Sequence, residues 1–283
     1  LALGLGWFYW EAAVAAVRLG LEQLEADHRK LRRKKDPLQA AVVSVDVATG
    51  EVRALVGGRD YLLYPFNRAT EAHRQAGSIF KPFTYLAALE RGEREDGSFW
   101  TPATLLADEP FSVRAGRSLW KPMNYDREFH GTVTLRAALE ESRNVPAARV
   151  GVEVGPRRIA SVARRLGIQS PLREVYSLSL GSSEVTLLET TAAYAALAAG
   201  GTSHPVTFLR GVIGRDGMEV PLAALSSPSE STIDRRAVYL VTRMLQGVFR
   251  RGTARSARDL ARYGDLAGKT GTTDKYRDAW FIG

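Results

Sequence analysis

Gln75-Ala76-Gly77-Ser78-Ile79-Phe80-Lys81-Pro82-Phe83 is the stretch on which the reading of this chain turns. Gly77 breaks the chain just before Ser78, and an apolar helical pattern runs on to about Arg91. Proline lacks an N–H and is tolerated in the first turn of a helix, so Pro82 places Ser78 at or near a helix N-terminus. Ser78 and Lys81 then share one helical face and are close enough to hydrogen-bond. Negative charge developing near Ser78 meets the positive end of the helix dipole. A hydroxyl, an adjacent base and anion-stabilising donors are what an activated serine nucleophile needs. Lysine is a base only when neutral, a state that burial and a second nearby cation promote. An SxxK spacing is common by itself, so the rest of the chain has to support it.

Working outward, Ser142-Arg143-Asn144 follows an amphipathic helical pattern over Thr132 to Arg143 and precedes Val145-Pro146. Pro146 disfavours helical backbone at Val145, which predicts a sharp helix-to-loop corner. Alone, this is an ordinary helix stop, because Ser and Asn favour such places. Lys269-Thr270-Gly271-Thr272, bounded by Gly268 and Thr273, reads as a strand whose small residues let a substrate backbone come close. Its lysine supplies a fixed positive charge and its hydroxyls can bind a carboxylate. Alone, it reads as a β-turn with a surface lysine. Together and in this order, the three match the SxxK, SDN and KTG motif set of class A β-lactamases and penicillin-binding proteins, with Arg143 in place of the Asp.

The remaining pattern is mixed. Val14, Val17, Leu21 and Leu24 lie on one face of a helix over residues 11 to 31. The basic run His28 to Lys35 and Pro37 end it, as an exposed helix end and linker. Ala40 to Val47 and Glu51 to Gly58 flank Ala48-Thr49-Gly50 as a hairpin. Helices are expected from Pro156, over Leu187 to Ala199 before Gly200-Gly201, and after an Asp234 cap with Val238, Val241, Leu245 and Val248 on one side. Strand-like pieces lie at Thr207 to Ile213, around Lys269 and at Asp278 to Ile282. The class expected is α+β.

Composition narrows the chemistry. The 283 residues are 45% hydrophobic and carry a formal charge of +8, ordinary for a globular protein with a basic face. With no cysteine there is no disulfide, thiol catalysis or Cys-ligated zinc. The four histidines are scattered, so no metal site is expected, and no cofactor is implied. The basic run has no interleaved aromatics and no nucleic-acid module is recognisable, so nucleic acid is not an expected partner. Leu1 to Trp10 is apolar but shorter than the roughly 20 residues that span a bilayer. It reads either as the end of a truncated membrane anchor or as a buried strand.

Phe66-Asn67-Arg68-Ala69-Thr70, Gln75 to Phe83, Thr101-Pro102-Ala103-Thr104-Leu105-Leu106, Asn124-Tyr125-Asp126 and Ser183-Glu184-Val185-Thr186-Leu187-Leu188-Glu189 together carry a family resemblance. Over roughly residues 11 to 283 the chain resembles the transpeptidase domain of class A (bifunctional) penicillin-binding proteins, and within them the 1b group. The resemblance implies a penicillin-binding/β-lactamase-like serine transpeptidase fold, an antiparallel sheet flanked by helices and truncated at its C-terminus. It implies an anchor remnant and linker over 1–36 and the transpeptidase domain over 37–283. Class A relatives carry a glycosyltransferase domain before this one, and no glutamate motif with a following histidine precedes residue 40.

Position by position, the resemblance makes Ser78 the nucleophile on the penultimate D-Ala carbonyl of a stem peptide and Lys81 the general base. Ser142 and Asn144 relay protons and hold the substrate amide. Lys269 tunes the charge around Lys81 and, with Thr270, Gly271 and Thr272, binds the terminal carboxylate. Backbone N–H groups of Ser78 and Thr272 form the oxyanion hole. The implied activity is a D,D-transpeptidase with D,D-carboxypeptidase side activity. Its implied partners are peptidoglycan stem peptides of lipid II-derived strands, β-lactam antibiotics and cell-wall synthesis proteins. Its implied location is the periplasmic or extracellular face of the inner membrane, tethered in the full-length protein. Two other functions fit the same motifs. A serine β-lactamase would need a deacylating glutamate, and no Glu-x-x-Leu-Asn lies between Ser142 and Lys269. A non-catalytic β-lactam sensor or peptidoglycan-binding module would acylate or bind without crosslinking.

Overall fold

The computed structural model describes residues 2–33, 35–209, 212–213, 215, 218–220, 233–273 and 277–283. The chain forms two compact units, Leu1–His73 with Val185–Glu230, and Arg74–Glu184 with Ser231–Gly283.

In the first unit, helix α1 (Ala2–Asp27) begins well before the apolar spacing from residue 11 predicts. Trp7, Phe8, Tyr9 and Trp10 are exposed on it, so this run is helical and is not a buried strand. No helix among the described residues is long and apolar enough to cross a membrane. Strands β1 (Val42–Val45) and β2 (Val52–Val56) form the expected antiparallel hairpin, with Val42 opposite Val56. Asp46 shapes its turn, its Oδ1 accepting from the backbone N–H of Ala48 at 3.1 Å and of Thr49 at 3.0 Å. Val17 and Leu21 of α1 pack on Val56, with Ala13, Val14, Leu38 and Val42 around them. Each such buried aliphatic side chain contributes about 1.5–3 kcal/mol. Leu24, expected on the same face, is exposed. Arg59 holds Glu25 with a two-pronged contact at 2.5 and 3.0 Å.

Helix α6 (Leu187–Ala198) starts in a capping box of Thr186 and Glu189 and packs on β1. Of the strand expected at Thr207 to Ile213, Thr207 bridges Glu51, and Val212–Ile213 (β9) pairs antiparallel with Glu219–Val220 (β10); residues 210–211 lie outside the described residues. In the basic run, Arg29–Leu31 forms one 3₁₀ turn, and residue 34 lies outside the described residues.

The second unit is built around α2 (Lys81–Arg91), which follows directly on a 3₁₀ turn over Gly77–Phe80. The single helix read from Ser78 is therefore two pieces, with Pro82 in the first turn of the second, where a missing N–H costs nothing. Every residue from Lys81 to Leu89 is buried. A helix enclosed on all sides needs small and apolar residues throughout, and Phe83, Leu86, Ala87 and Ala88 supply them. Around it pack α3 (Leu135–Glu140), α4 (Asn144–Val154), α5 (Pro156–Arg165) and α7 (Arg235–Arg250, capped by Asp234 as expected).

Two helix boundaries differ from the sequence reading. Thr132 to Thr134 belong to strand β7 (Gly131–Thr134), paired antiparallel with β4 (Leu105–Asp108), and α3 starts only at Leu135. Those residues are β-branched and suit a paired strand. The Thr134 hydroxyl then caps the helix, accepting from Ala137 N at 3.1 Å. The corner at Ser142-Arg143 leads into α4 and not into a loop. Pro146 sits in the first turn of α4, so the expected extended Val145 is helical instead. Short strands β3 (Arg74–Gln75), β5 (Val113–Ala115), β6 (Ser118–Trp120) and β8 (Glu184–Val185) complete the connections. Strands β11 (Lys269–Thr272) and β12 (Ala279–Ile282) pair antiparallel, with Gly271 opposite Trp280.

Candidate active site

Ser78 lies on the 3₁₀ turn, where Gly77 has φ +57°. Gly181 lies directly against that turn, and a Cβ there would stand 2.1 Å from Gly77 O. Gly77 N donates to Gly181 O at 2.9 Å. Strand β11 closes the other side. A Cβ on Gly271 would meet Ile79 Cγ2 at 2.9 Å and Ile79 N at 3.2 Å, so only glycine lets the strand lie this near the serine turn.

Lys81 is 0% exposed. Its Nζ donates to Ser142 O at 2.5 Å, Asn144 Oδ1 at 2.7 Å, Arg143 O at 3.2 Å and Ser142 Oγ at 3.3 Å. No hydrogen bond joins Lys81 to the Ser78 hydroxyl, although the helical spacing would allow one. Residues three apart still share a face in a 3₁₀ turn, but the Lys81 ammonium is drawn to the Ser142–Asn144 corner, and catalytic contacts often tighten only with substrate bound. Burial pushes the Lys81 ammonium well below its usual range, and the cations of Lys269 and Arg143 push it further. A neutral amine keeps two N–H donors, enough for Ser142 O and Asn144 Oδ1, and has its lone pair free for a proton.

Lys269 is also 0% exposed, and its Nζ donates to Ser142 Oγ at 2.8 Å and Thr270 O at 2.9 Å. Desolvation lowers its pKa to about 7. It is therefore not a surface lysine, and its burial favours the neutral form. Ser142 stands between the two lysines, its hydroxyl within hydrogen-bond distance of both. Its backbone is left-handed, φ +60°, which is uncommon for a residue other than glycine and persists only where the surroundings enforce it.

A cleft of about 840 Å³ opens over these groups, lined by Ser78, Ser142, Asn144, Thr270, Gly271 and Thr272 among others. Every predicted site residue is thus in one place, six on the cleft wall and the two lysines buried close to Ser142. Thr270 Oγ1 lies 2.6 Å from Thr253 Oγ1, a neighbour the sequence reading did not pick out.

Also missed is the group behind the corner. Arg143, read only as standing in place of the motif's Asp, is 5% exposed. Its Nε donates to Asp108 Oδ2 at 2.9 Å, Nη1 to Asp126 Oδ2 at 2.5 Å and Nη2 to Glu128 O at 2.6 Å. Asn124 Oδ1 accepts from the backbone N–H of Asn144 at 2.9 Å and Val145 at 3.1 Å. The sequence signal was slight: Asn124-Tyr125-Asp126 stood among the stretches that carry the resemblance with no role given to it, and Arg143 lay between two polar residues of a motif. Asp126, Glu128 and His130 bring potential metal-ligand atoms within 4.8 Å of one another, but all three are exposed and Asp126 already pairs with Arg143.

The sequence profile described as "Penicillin binding protein transpeptidase domain" matches residues 40–283. Penicillin-binding protein 1A of Neisseria cinerea is 40% identical over 250 residues, covering 87% of this chain and 31% of that protein. The chain thus spans about a third of the length of the curated relatives it matches. Among solved structures, penicillin-binding protein 1A from Haemophilus influenzae aligns with TM-score 0.72 at 26% identity, covering 86% of this chain and 41% of that one. PonA1 from Mycobacterium tuberculosis in complex with penicillin V aligns with TM-score 0.69 at 26% identity, covering 87% and 66%.

Proposed function

The chain belongs to the penicillin-binding protein transpeptidase family, and on that premise we propose that it is a D,D-transpeptidase acting through an acyl-enzyme on Ser78. The observation that carries the reading is Lys81: a wholly buried lysine with a lowered pKa, bonded to Ser142 and Asn144, three residues from a serine on a cleft wall. Neutral Lys81 takes the Ser78 proton as Oγ attacks the penultimate D-Ala carbonyl carbon of a stem peptide. Backbone N–H groups of Ser78 and Thr272 stabilise the oxyanion. Collapse breaks the C–N bond and forms the Ser78 ester. The proton reaches the departing D-Ala amine through the Ser142 hydroxyl, which lies between Lys81 and Lys269. An amine of a second stem peptide then attacks the ester, forming the crosslink and regenerating Ser78. Water in place of that amine gives the carboxypeptidase side reaction.

Asn144 holds the substrate amide, and Lys269 in its protonated form binds the terminal carboxylate with Thr270, Gly271 and Thr272. β-Lactams present a similar carboxylate and a strained amide to the same serine. The substrate lies outside the cytoplasmic membrane, so the reading sets residues 37–283 on the periplasmic or extracellular face as the transpeptidase domain of a longer protein. Residues 1–36 then lead from an inner-membrane anchor, and cell-wall synthesis proteins are its partners.

Acylation by a fluorescent penicillin, read on a denaturing gel for the parent and Ser78→Ala, tests the serine. Labelling of the parent that vanishes in the variant is expected; a folded parent that stays unlabelled overturns the reading. Release of D-Ala from a stem pentapeptide, with crosslinked product, separates the transpeptidase from a β-lactam sensor. Rapid turnover of penicillin would instead mark a β-lactamase.

A further inference from the structure

The corner that carries Ser142 and Asn144 needs something to enforce it, because a left-handed serine is strained and persists only where its surroundings compel it. Backbone bonds from Ser142 N to Leu139 O at 3.1 Å and from Arg143 N to Ala138 O at 2.9 Å close the turn from one side. From the other side a buried polar unit converges on Asp108, which is 0% exposed. Asp108 Oδ2 accepts from Arg143 Nε at 2.9 Å and from His130 N at 3.1 Å, and its Oδ1 accepts from Asn124 Nδ2 at 2.6 Å. Asn124 also donates to Glu128 O at 2.8 Å, and its oxygen caps the first two N–H groups of α4. Asn144 Nδ2, in turn, donates to Met123 O at 2.8 Å, leaving Oδ1 for Lys81. Arg143 and Asn124 therefore grip the corner on either side of Asn144, and both are locked by the same carboxylate.

We propose that Asp108, Arg143 and Asn124 form a positioning unit for the reaction: they hold Ser142 and Asn144 in register with Lys81. The proposal rests on the transpeptidase reading and deepens it. Two features favour a role beyond stability. A buried arginine in a forked contact replaces what an apolar side chain could fill without desolvation cost. It also stands next to the residue whose charge matters most. The charged groups facing Lys81 are Lys269 from β11 and Arg143 from the corner, both of which depress its pKa. Arg143 is itself balanced by Asp108 and Asp126.

The test compares Arg143→Lys, Arg143→Met and Asn124→Ala with the parent, each checked for a cooperative melt. Stopped-flow acylation by a fluorescent penicillin separates noncovalent affinity from the acylation rate. Arg143→Lys keeps the charge and loses the fork, and Asn124→Ala loses the α4 clamp. Each is expected to slow acylation by about tenfold to a hundredfold with little change in affinity, as small misplacements of reacting groups do. Arg143→Met removes the cation, so the acid limb of its pH–rate profile should move to higher pH, which a purely structural role would not produce. Amide hydrogen exchange at residues 142–145, which needs no ligand, should accelerate in Arg143→Lys and Asn124→Ala. If Arg143→Met does not fold, those two variants decide the question. Folded variants with exchange and acylation within about twofold of the parent overturn the proposal. A parent that is not labelled, or Ser78→Ala that still is, overturns the serine reading instead, while the exchange measurement still judges the unit.

Discussion

The helix-and-hairpin cluster of Val17, Leu21 and Val56 and the lysine cluster of Lys81, Lys269 and Arg143 are both buried, by opposite chemistry. The first gains from leaving water, by roughly 25 cal/mol for each Å² of apolar surface covered. The second loses by it, since an ammonium taken out of water gives up solvation that hydrogen bonds only partly replace. The apolar cluster stabilises the first unit and has no bearing on protons. The cationic cluster costs stability and in exchange holds two lysines whose charge is easily removed. A destabilising arrangement retained in the interior is what a functional site looks like physically.

That contrast can be broken, most sharply at Lys81. Lys81→Met should fold, because it removes a buried cation, yet slow acylation by about 10²–10⁴-fold, the range a general base supplies. Stopped-flow labelling with penicillin measures it, and near-parental rates would remove Lys81 from the mechanism. The reverse should hold in the apolar cluster. Leu21→Ala should cost about 2–4 kcal/mol in denaturant unfolding and leave acylation by the folded protein unchanged. A rate loss there would mean that the contrast is false.

Next comes the pH dependence of stability. Lys269 has its folded pKa near 7 against 10.5 unfolded, so the unfolded chain binds the extra proton between those values. Stability should therefore rise from pH 7 toward 10, with the full penalty present below pH 7, by at most about 1.4 kcal/mol per pH unit from this group. Lys81 adds to the same slope, being lowered in the same direction. Lys269→Met should flatten the rise in urea melts taken across that range; an unchanged slope would argue against a desolvated Lys269. The smallest effect is expected at the hairpin turn, where Asp46→Ala should cost about 0.5–1.5 kcal/mol through its lost turn hydrogen bonds. Thermal melts would register it as a shift of a few degrees.

Much of this was legible beforehand, for reasons tied to particular residues. The hairpin, α6 and α7 follow from local signals: β-branched runs, an Ala-rich run closed by Gly200-Gly201, and an Asp cap ahead of an apolar stripe. Where two local signals competed, the reading failed. Thr132 to Thr134 continue a helical apolar spacing, but pairing with Leu105 to Asp108 makes them a strand. Pro146 ends helices in general, yet at the third position of α4 it begins one. The aromatic run from Trp7 to Trp10 had no partner pattern to classify it, and it is helical.

By itself, the sequence determined which chemistry was available: an SxxK serine at a helix start, a polar corner, and a lysine on a small-residue strand, with no cysteine and no histidine pair. Their order and local context matched a motif set shared by class A β-lactamases and penicillin-binding proteins, and the stretches around them pointed to the second. Only the tertiary structure decided the state of those groups. Burial of Lys81 and Lys269, the left-handed Ser142 between them, and the Asp108–Arg143–Asn124 contacts behind the corner join residues far apart in the chain. Desolvation and the repulsion between charges depend on distance through space, and no spacing along a sequence encodes that distance.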